Sequence, residues 1–334
     1  MKRILTIVVA LVAAAGTTLA QQRPQYTQYA LNNFLTNPAV GGIESYADLR
    51  TSYRGQWAGI EGAPETYYFT IHGSIGNPAS GRTSPKARKT TRSGFSSANS
   101  YKKSVPHHGV GAVVQVDKAG LLRTSTINGT YSYHQPITRY LTLASGLSGG
   151  FTQYNVDVDR AQVLDPSDPY LVGGNLTASK IDVGVGLWLY SPDFYVGLSG
   201  MQLLKSKQEI VSTDEPSMML QPHFYATAGF RFQTTNDLAV IPSVMVKMTD
   251  SATPAVDLNV RALYAQYVWG GMSYRHNDAW AVMAGVNLSY LFDVGYSYEI
   301  ATSSMSRVTA GSHEVVVGIK LNNAARVLCP QWVW

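Results

Sequence analysis

The side chains best suited to chemistry are seven histidines. They are His72, His107, His108, His134, His223, His276 and His313. None of them belongs to an HExxH motif or to a similar spacing that would place two metal ligands on one helix face. His107 and His108 stand at the start of a predicted strand, where we expect a solvated rim feature rather than a ligand pair. The histidines therefore predict no metal ion.

Ser132, His134 and Asp182 are the residues to consider for hydrolysis or acyl transfer, which needs a nucleophile, a base and a group that orients the base. The absence of a motif does not by itself dismiss them. However, no GxSxG, P-loop or dinucleotide motif precedes a helix, and no complete catalytic set stands out. We therefore expect no enzyme and no cofactor.

Four aspartates lie close together in a predicted loop over about residues 155–179. They are Asp157, Asp159, Asp165 and Asp168. Carboxylates at such short intervals can hold calcium, but this spacing does not match a DxDxDG loop. The sequence favours a solvated external loop.

The segment 76–106 is basic, rich in serine and free of acidic residues. Its seven basic residues are the candidate partner-binding residues: Arg82, Lys86, Arg88, Lys89, Arg92, Lys102 and Lys103. The segment has no hydrophobic periodicity, which predicts a flexible insert rather than a second domain. An acidic partner and simple solvation both explain such a charge run, and nucleic acid is not expected outside the cytoplasm.

Residues 1–20 have the features of a secretory signal peptide. Lys2 and Arg3 are basic, Ile4–Ala15 is an apolar run, and small residues up to Ala20 suit signal peptidase. A buried helix of a soluble protein is the alternative, but charge, length and cleavage features together favour the signal peptide. No cysteine follows Ala20, so no lipoprotein is expected. The single cysteine, Cys329, excludes an internal disulfide, and we expect a buried free thiol.

The stretch from Trp280 to Ile300 shows how the mature chain folds. Large apolar residues alternate with small or polar ones, first from Trp280 to Tyr290 and again from Phe292. A period of two is typical of β-strands. Trp280 and Tyr290 would stand roughly 26 Å apart along a tilted barrel, close to the lipid-facing band of an outer-membrane barrel. A soluble sandwich explains any single strand of this kind, so the barrel hypothesis rests on repetition.

The pattern repeats about fourteen times. The predicted strands are approximately Tyr46–Arg54, Thr66–Ser74, His108–Asp117, Leu122–His134, a strand from Arg139, Ile181–Leu189, Phe194–Met201, Phe224–Gln233, Leu238–Met248, Val256–Arg261, Leu263–Arg275, Trp280–Tyr290, Phe292–Ile300 and His313–Leu321. The mature chain has no second apolar run of the ~18 residues that a membrane helix needs. Only 14% of residues are charged and the mean hydropathy is -0.06, as expected when half of each strand faces lipid.

These patterns predict an all-β protein with a single closed, antiparallel transmembrane β-barrel. The expected divisions are a signal peptide at 1–20, a periplasmic leader at 21–45, an outer-membrane barrel at 46–321 with a basic periplasmic insert at 76–106, and a C-terminal tail at 322–334. The leader is expected to lie inside or beneath the barrel. Arg231 should face the lumen, because a charge on the lipid face is costly.

Several short motifs, taken in order, resemble those of the PorP/SprF family. They are Gln25-Tyr26-Thr27-Gln28-Tyr29, Asn32, Asn37-Pro38-Ala39, Gly41, Tyr53-Arg54-Gly55-Gln56-Trp57, Gly62-Ala63-Pro64-Glu65-Thr66, Gly311-Ser312-His313-Glu314 and Cys329-Pro330. The resemblance covers the mature chain. Its departures are the insert at 76–106, which is longer and more basic than the turn expected there, and the ending Gln331-Trp332-Val333-Trp334 beyond the last strand.

The resemblance implies an integral protein of the Bacteroidota outer membrane that serves the type IX secretion system, which exports adhesins, proteases and gliding proteins. The implied partners are membrane lipid, periplasmic ring or peptidoglycan-linked proteins, and secreted adhesins. The leading hypothesis is a non-enzymatic component that anchors or assembles the secretion and gliding machinery or receives secreted surface proteins. The alternative is a channel or transporter for small solutes, which needs an open lumen. An anchor can instead be plugged by Trp188 and Arg231 or by residues 21–42.

Overall fold

A computed structural model describes residues 26–76, 105–157, 176–204, 221–249, 252–302, 304–324 and 326–330. Fourteen antiparallel strands form one sheet in chain order, and the last strand pairs with the first to close a barrel. The strands are β1 (Ala47–Gly55), β2 (Glu65–Ile75), β3 (His107–Ala119), β4 (Leu122–Pro136), β5 (Thr142–Val156), β6 (Leu176–Tyr190), β7 (Phe194–Met201), β8 (His223–Phe230, continued by Phe232–Gln233), β9 (Leu238–Thr249), β10 (Ala252–Tyr264), β11 (Val268–Arg275), β12 (Ala279–Asn287), β13 (Phe292–Ala301) and β14 (Ser312–Leu321).

Alternation within each strand sorts side chains between an apolar outer face and a lumen. On β12, Trp280 and Val282 are exposed outward, whereas Ala281 and Met283 are buried inside. Arg231, between the two segments of β8, is also buried, as expected for a lumen-facing charge. The closed antiparallel barrel predicted from the alternation is thus confirmed. Within the described part of the chain, no helix is both long and apolar enough to cross a membrane.

Most strand ends agree with the predicted ones to within a few residues, and the larger differences have local causes. β5 begins at Thr142 because a turn occupies 137–141, where the Ile137 amide donates to the Leu141 carbonyl at 2.9 Å. β11 begins only at Val268, because Ala265 and Gln266 adopt positive φ angles of 49° and 63° that end β10. Such backbone conformations break a strand.

The connections differ in length between the two ends of the barrel. The five connections at 137–141, 191–193, 234–237, 265–267 and 288–291 are short and share one end. The opposite end carries longer connections, at 56–64, 157–175, 202–222 and 302–311, together with three tight ones. Outer-membrane barrels have short periplasmic turns, so we take the first end as periplasmic. The basic segment 76–106 departs from that end.

We expect an arginine on the outer face to be costly. Val282→Arg should lower the free energy of unfolding from phospholipid vesicles by roughly 2–4 kcal/mol, because the guanidinium would lie in hydrocarbon. Ile137→Arg is the control, since Ile137 is exposed in a connection. Urea titration of both variants measures the effect, and equal losses would contradict a lipid-facing β12.

Candidate functional site: the lumen and its N-terminal plug

The lumen is filled by the N-terminal segment 26–46, here called the plug. Nearly all of its side chains are buried, and it contains three short 3-10 helices, Tyr29–Leu31, Asn33–Leu35 and Pro38–Val40. Asn37 caps the third helix by accepting a hydrogen bond from the Ala39 amide at 3.0 Å, and Pro38 suits the first helical position. The plug therefore passes through the barrel as a packed, internally bonded chain before β1 begins.

The plug presses directly against the inner wall of β5 and β6. A Cβ atom at Gly146 would lie 2.3 Å from the Ala39 nitrogen, and one at Gly186 would lie 2.0 Å from Asn37 Oδ1. No other residue type fits such an approach. The Asn37 side-chain amide in turn donates to the carbonyls of Leu187 and Leu198, at 3.0 and 3.1 Å. The wall and the plug are thus shaped to each other.

A buried cluster on β1, β13 and β14 holds the start of the plug, and we call it the Arg54 lock. The Arg54 guanidinium contacts Glu299 at 2.9 Å and Glu314 at 3.3 Å, and it also donates to the Thr27 hydroxyl. The Thr27 amide donates to Glu314 at 2.8 Å, and its hydroxyl donates to Glu299 at 2.7 Å. Arg54 and Glu314 are each only 1% exposed. Because buried charges must be paired, the lock and the plug stabilise each other.

Charge pairs continue around the lumen toward both ends. Arg50 contacts Asp48 at 2.9 Å and Asp293 at 3.4 Å, and Lys320 also approaches Asp293, at 3.3 Å. The Arg275 guanidinium contacts Asp257 on the adjacent β10 and Glu299 on β13, at 3.3 and 3.4 Å. Glu299 also belongs to the Arg54 lock, so these buried ion pairs form an ionic network on the inner surface.

Three histidines hold the point where the plug leaves the lumen. The carbonyl of Gly41 accepts from Ser132 Oγ at 2.5 Å and lies 2.7 Å from His134 Nε2. The Gly42 amide donates to His72 Nδ1 at 3.2 Å, and the Gly42 carbonyl lies 3.1 Å from His107 Nε2. These rings therefore serve as hydrogen-bonding partners for plug backbone.

The prediction that His107 and His108 both lie at a solvated rim is wrong for His107. His108 lies on the outer face, but His107 is buried in the lumen and its ring stacks on His134 at 4.4 Å between centroids. The register explains the difference. β3 begins at His107, so strand alternation sends this side chain inward.

Ser132, His134 and Asp182 do not form a triad. Ser132 Oγ lies 3.3 Å from His134 Nε2, but the other His134 nitrogen faces the Tyr190 hydroxyl at 3.1 Å. Asp182 instead accepts from Asn128 and Thr152, at 3.2 and 3.4 Å. The serine and the histidine are both engaged with the plug, and no carboxylate orients the imidazole.

The other predicted site residues lie mostly outside the described residues. This applies to Arg82, Lys86, Arg88, Lys89, Arg92, Lys102 and Lys103, and to Asp159, Asp165 and Asp168. Asp157 is described and its amide donates to the Leu121 carbonyl at 3.0 Å. Among the residues that the structure describes, no three His, Cys, Asp or Glu side chains are grouped to hold a metal ion.

The C-terminal tail closes the periplasmic side of the plug. The Lys320 ammonium donates to the Leu328 carbonyl, and the Asn323 amide donates to the carbonyls of Tyr290 and Val327, at 2.7 and 2.8 Å. Cys329 is a free thiol packed against the core, and burial raises its pKa. A cavity of about 20 Å³ remains between tail, plug and wall, which is room for about one water molecule.

One protein-family model matches most of the chain. The model described as "Type IX secretion system membrane protein PorP/SprF" matches residues 18–319. The chain belongs to this family. It is therefore a type IX secretion system membrane protein, and its barrel lies in the outer membrane. A comparison with curated proteins found no match.

Several solved structures are similar in fold to this chain at low sequence identity. The Ralstonia pickettii toluene transporter TbuX is 12% identical with a TM-score of 0.48, covering 92% of this chain and 96% of that one. A Pseudomonas aeruginosa FadL homologue is 11% identical with a TM-score of 0.47, covering 92% and 96%. The Acinetobacter baumannii protein Omp33 is 11% identical with a TM-score of 0.44, covering 84% and 100%.

The family motifs meet in the lumen although they are far apart in the sequence. Thr27, Asn37 and Gly41 belong to the plug, whereas Arg54 and Glu314 belong to the lock that binds it. Sequence reasoning did not pair these residues. A charged residue on the lumen side of a strand is the sequence signal for such a buried pair, and a lumen-facing charge was predicted only for Arg231.

Arg54→Ala should release the plug, because it leaves Glu299 and Glu314 buried without their shared cation. Breaking a buried pair costs about 3–5 kcal/mol, which is roughly a hundredfold or more in a local opening equilibrium. With Cys329→Ser and the buried reporter Ala30→Cys, maleimide labelling of the folded barrel should accelerate by about that factor. Arg139→Ala, at an exposed arginine, is the control. Equal labelling rates would show that the lock does not retain the plug.

Proposed function

We propose that this PorP/SprF protein is a non-enzymatic anchoring or assembly component of the type IX secretion system. The observation that carries the proposal is the plug itself, which is bonded to strands on both sides of the lumen. Arg54 and Glu314 hold Thr27, and β6 and β7 carbonyls hold Asn37. A barrel built in this way offers a rigid membrane body rather than a water path.

Strand pairing and buried ion pairs both join the strands at the seam of the barrel, which suits a part that bears load. β1 and β14 pair along their whole lengths, and the Arg54 lock joins these two strands to β13 and to the plug. A load applied to the described end of the plug would be shared among several strands. An anchor for other components benefits from this arrangement.

The basic segment 76–106 is proposed as a periplasmic contact surface. It connects β2 to β3 at the end with the short turns and carries seven positive charges without an acidic residue. Such a charge run attracts an acidic protein surface. Periplasmic ring or peptidoglycan-linked proteins would be reached from this end, and secreted adhesins would be reached through the external connections.

Transport of small solutes is the alternative function, and it requires a continuous path through the lumen. The plug, the ionic network and the tail occupy that path among the described residues. The channel hypothesis therefore needs the plug to move, whereas the anchor hypothesis needs it to stay. A measurement of ion conductance distinguishes the channel hypothesis from the anchor hypothesis.

Deletion of residues 82–103 should abolish co-purification of periplasmic partners from native outer membranes, because it removes all seven basic side chains. A variant that keeps the length of the segment but replaces the seven residues with serine tests charge alone. The control is a shuffled segment of identical composition, which retains the electrostatic attraction. Unchanged co-purification after the deletion would remove the contact role of the segment.

The purified wild-type protein should be electrically silent in planar lipid bilayers, because its lumen is occupied. Arg54→Ala combined with Glu314→Ala removes both sides of the lock and should produce openings as the plug loosens. Single-channel recording measures both proteins, and heat-modifiable gel mobility confirms that each barrel is folded. Steady openings of the wild-type protein would favour the channel instead.

A further inference from the structure

Arg261, on the lumen side of β10, is a buried arginine without a carboxylate partner among the described residues. It is 5% exposed, and none of the described carboxylates forms an ion pair with its guanidinium. The guanidinium lies over the Trp269 ring instead, 5.5 Å from the ring centroid. A ring face compensates a buried charge less well than an anion does. Arg261 therefore departs from the charge pairing seen at Arg50, Arg54 and Arg275.

The Trp269 ring gives this guanidinium a rigid support. The ring extends along the inner wall to β12 and β13, where a Cβ atom at Gly285 would lie 2.3 Å from it and one at Gly295 would lie 2.9 Å from it. The same Cβ position at Gly295 lies 3.1 Å from Leu31 Cδ1 of the plug. The ring is therefore packed between wall and plug, which fixes the surface on which Arg261 rests.

The cavity of about 20 Å³ between tail, plug and wall lies beside Arg261. The polar residues in its lining are Arg50, Arg261, Asn287, Asp293 and Cys329. The Asp293 carboxylate is already engaged by Arg50 at 3.4 Å and by Lys320 at 3.3 Å. Asn287 donates one amide hydrogen to the Gln266 carbonyl at 2.6 Å, and a side-chain amide has a second hydrogen to donate. The lining thus offers mainly hydrogen-bond donors.

The charged side chains around this cavity carry an excess of one positive charge. The described ones are Arg50, Arg231, Arg261 and Lys320, together with the carboxylates Glu44, Asp48 and Asp293. Four cations thus face three carboxylates. Because a net charge is unfavourable away from water, one monovalent anion beside Arg261 would restore neutrality.

The size of the cavity selects a monatomic anion. Its volume is room for about one water molecule, whereas phosphate, sulfate and carboxylate each have several non-hydrogen atoms. Chloride is the common anion of this kind, and it accepts hydrogen bonds from guanidinium, amide and thiol groups.

We propose that the cavity binds one chloride ion, held by Arg261 and placed where plug, wall and tail meet. Leu31 belongs to the plug, Arg261 to the wall, and Cys329 and Pro330 to the tail, and all of them line the cavity. A bound chloride therefore stabilises the packing of the tail beneath the plug. This inference goes beyond the anchoring function and does not depend on it.

Anomalous X-ray scattering tests the site directly. Crystals of the full-length barrel are grown with sodium bromide in place of sodium chloride. A bromide peak should lie within hydrogen-bonding distance of the Arg261 guanidinium, and it should be absent from Arg261→Gln. A wild-type position without anomalous signal would overturn the proposal. Bromide found only at exposed arginines such as Arg139 would overturn it too, as an adventitious ion only.

The reactivity of Cys329 measures the effect of chloride in solution. Its thiol lines the cavity, so a maleimide reaches it only after the tail opens and the ion leaves. The protein is placed in phospholipid vesicles at constant ionic strength, with gluconate, which is too large for the cavity, replacing chloride. At chloride about ten times its Kd, labelling should be roughly tenfold slower than in gluconate, which corresponds to about 1.4 kcal/mol. Arg261→Gln should be labelled equally fast in both salts.

The matched control is Arg139→Gln, which removes an exposed arginine at the same end of the barrel. It should keep the chloride dependence of the wild-type protein, and heat-modifiable gel mobility confirms that each barrel is folded. Labelling of the wild-type protein at the same rate in both salts would contradict the proposal. The wild-type measurements decide the matter even where the Arg261→Gln barrel does not fold.

Discussion

Pairing of charge inside the barrel is the constraint on which the rest of the structure depends. Arg54, Glu299 and Glu314 are removed from water at the inner surface of a membrane-spanning wall, where an unpaired ion is strongly unfavourable. Thr27 bonds to all three of these side chains, so the plug supplies part of their hydrogen bonding. The N-terminal segment is therefore part of the folded barrel rather than an addition to it.

This constraint explains why the lumen is closed from several directions. The charged positions fix the start of the plug, the glycines of β5 and β6 let its middle approach the wall, and the histidines hold its exit at Gly41 and Gly42. Lys320 holds the tail in a similar way, since its ammonium contacts both Asp293 and the Leu328 carbonyl. The Arg54 lock thus contributes both to closure at the seam and to closure of the lumen.

The outer face follows a simpler rule than the inner one. Lipid demands only that outward side chains be apolar. The alternation seen from Trp280 to Ile300 therefore predicts strands, and its repetition about fourteen times along the chain predicts a barrel. Strand ends were harder to predict where turn geometry decides them, as at Ala265 and Gln266. The burial of His107 was missed because its face depends on which residue starts β3.

The sequence by itself determined the class of fold, the side of each strand that meets lipid, and the family, because these depend on local period and on short ordered motifs. Only the tertiary structure showed that the N-terminal family motifs contact the later ones inside the lumen. Arg54 and Glu314 are 260 residues apart, and Asn37 reaches a carbonyl 150 residues away. Local patterns carry no information about such distant pairs. The register of the closed sheet brings them together, and the need to neutralise buried charge keeps them there.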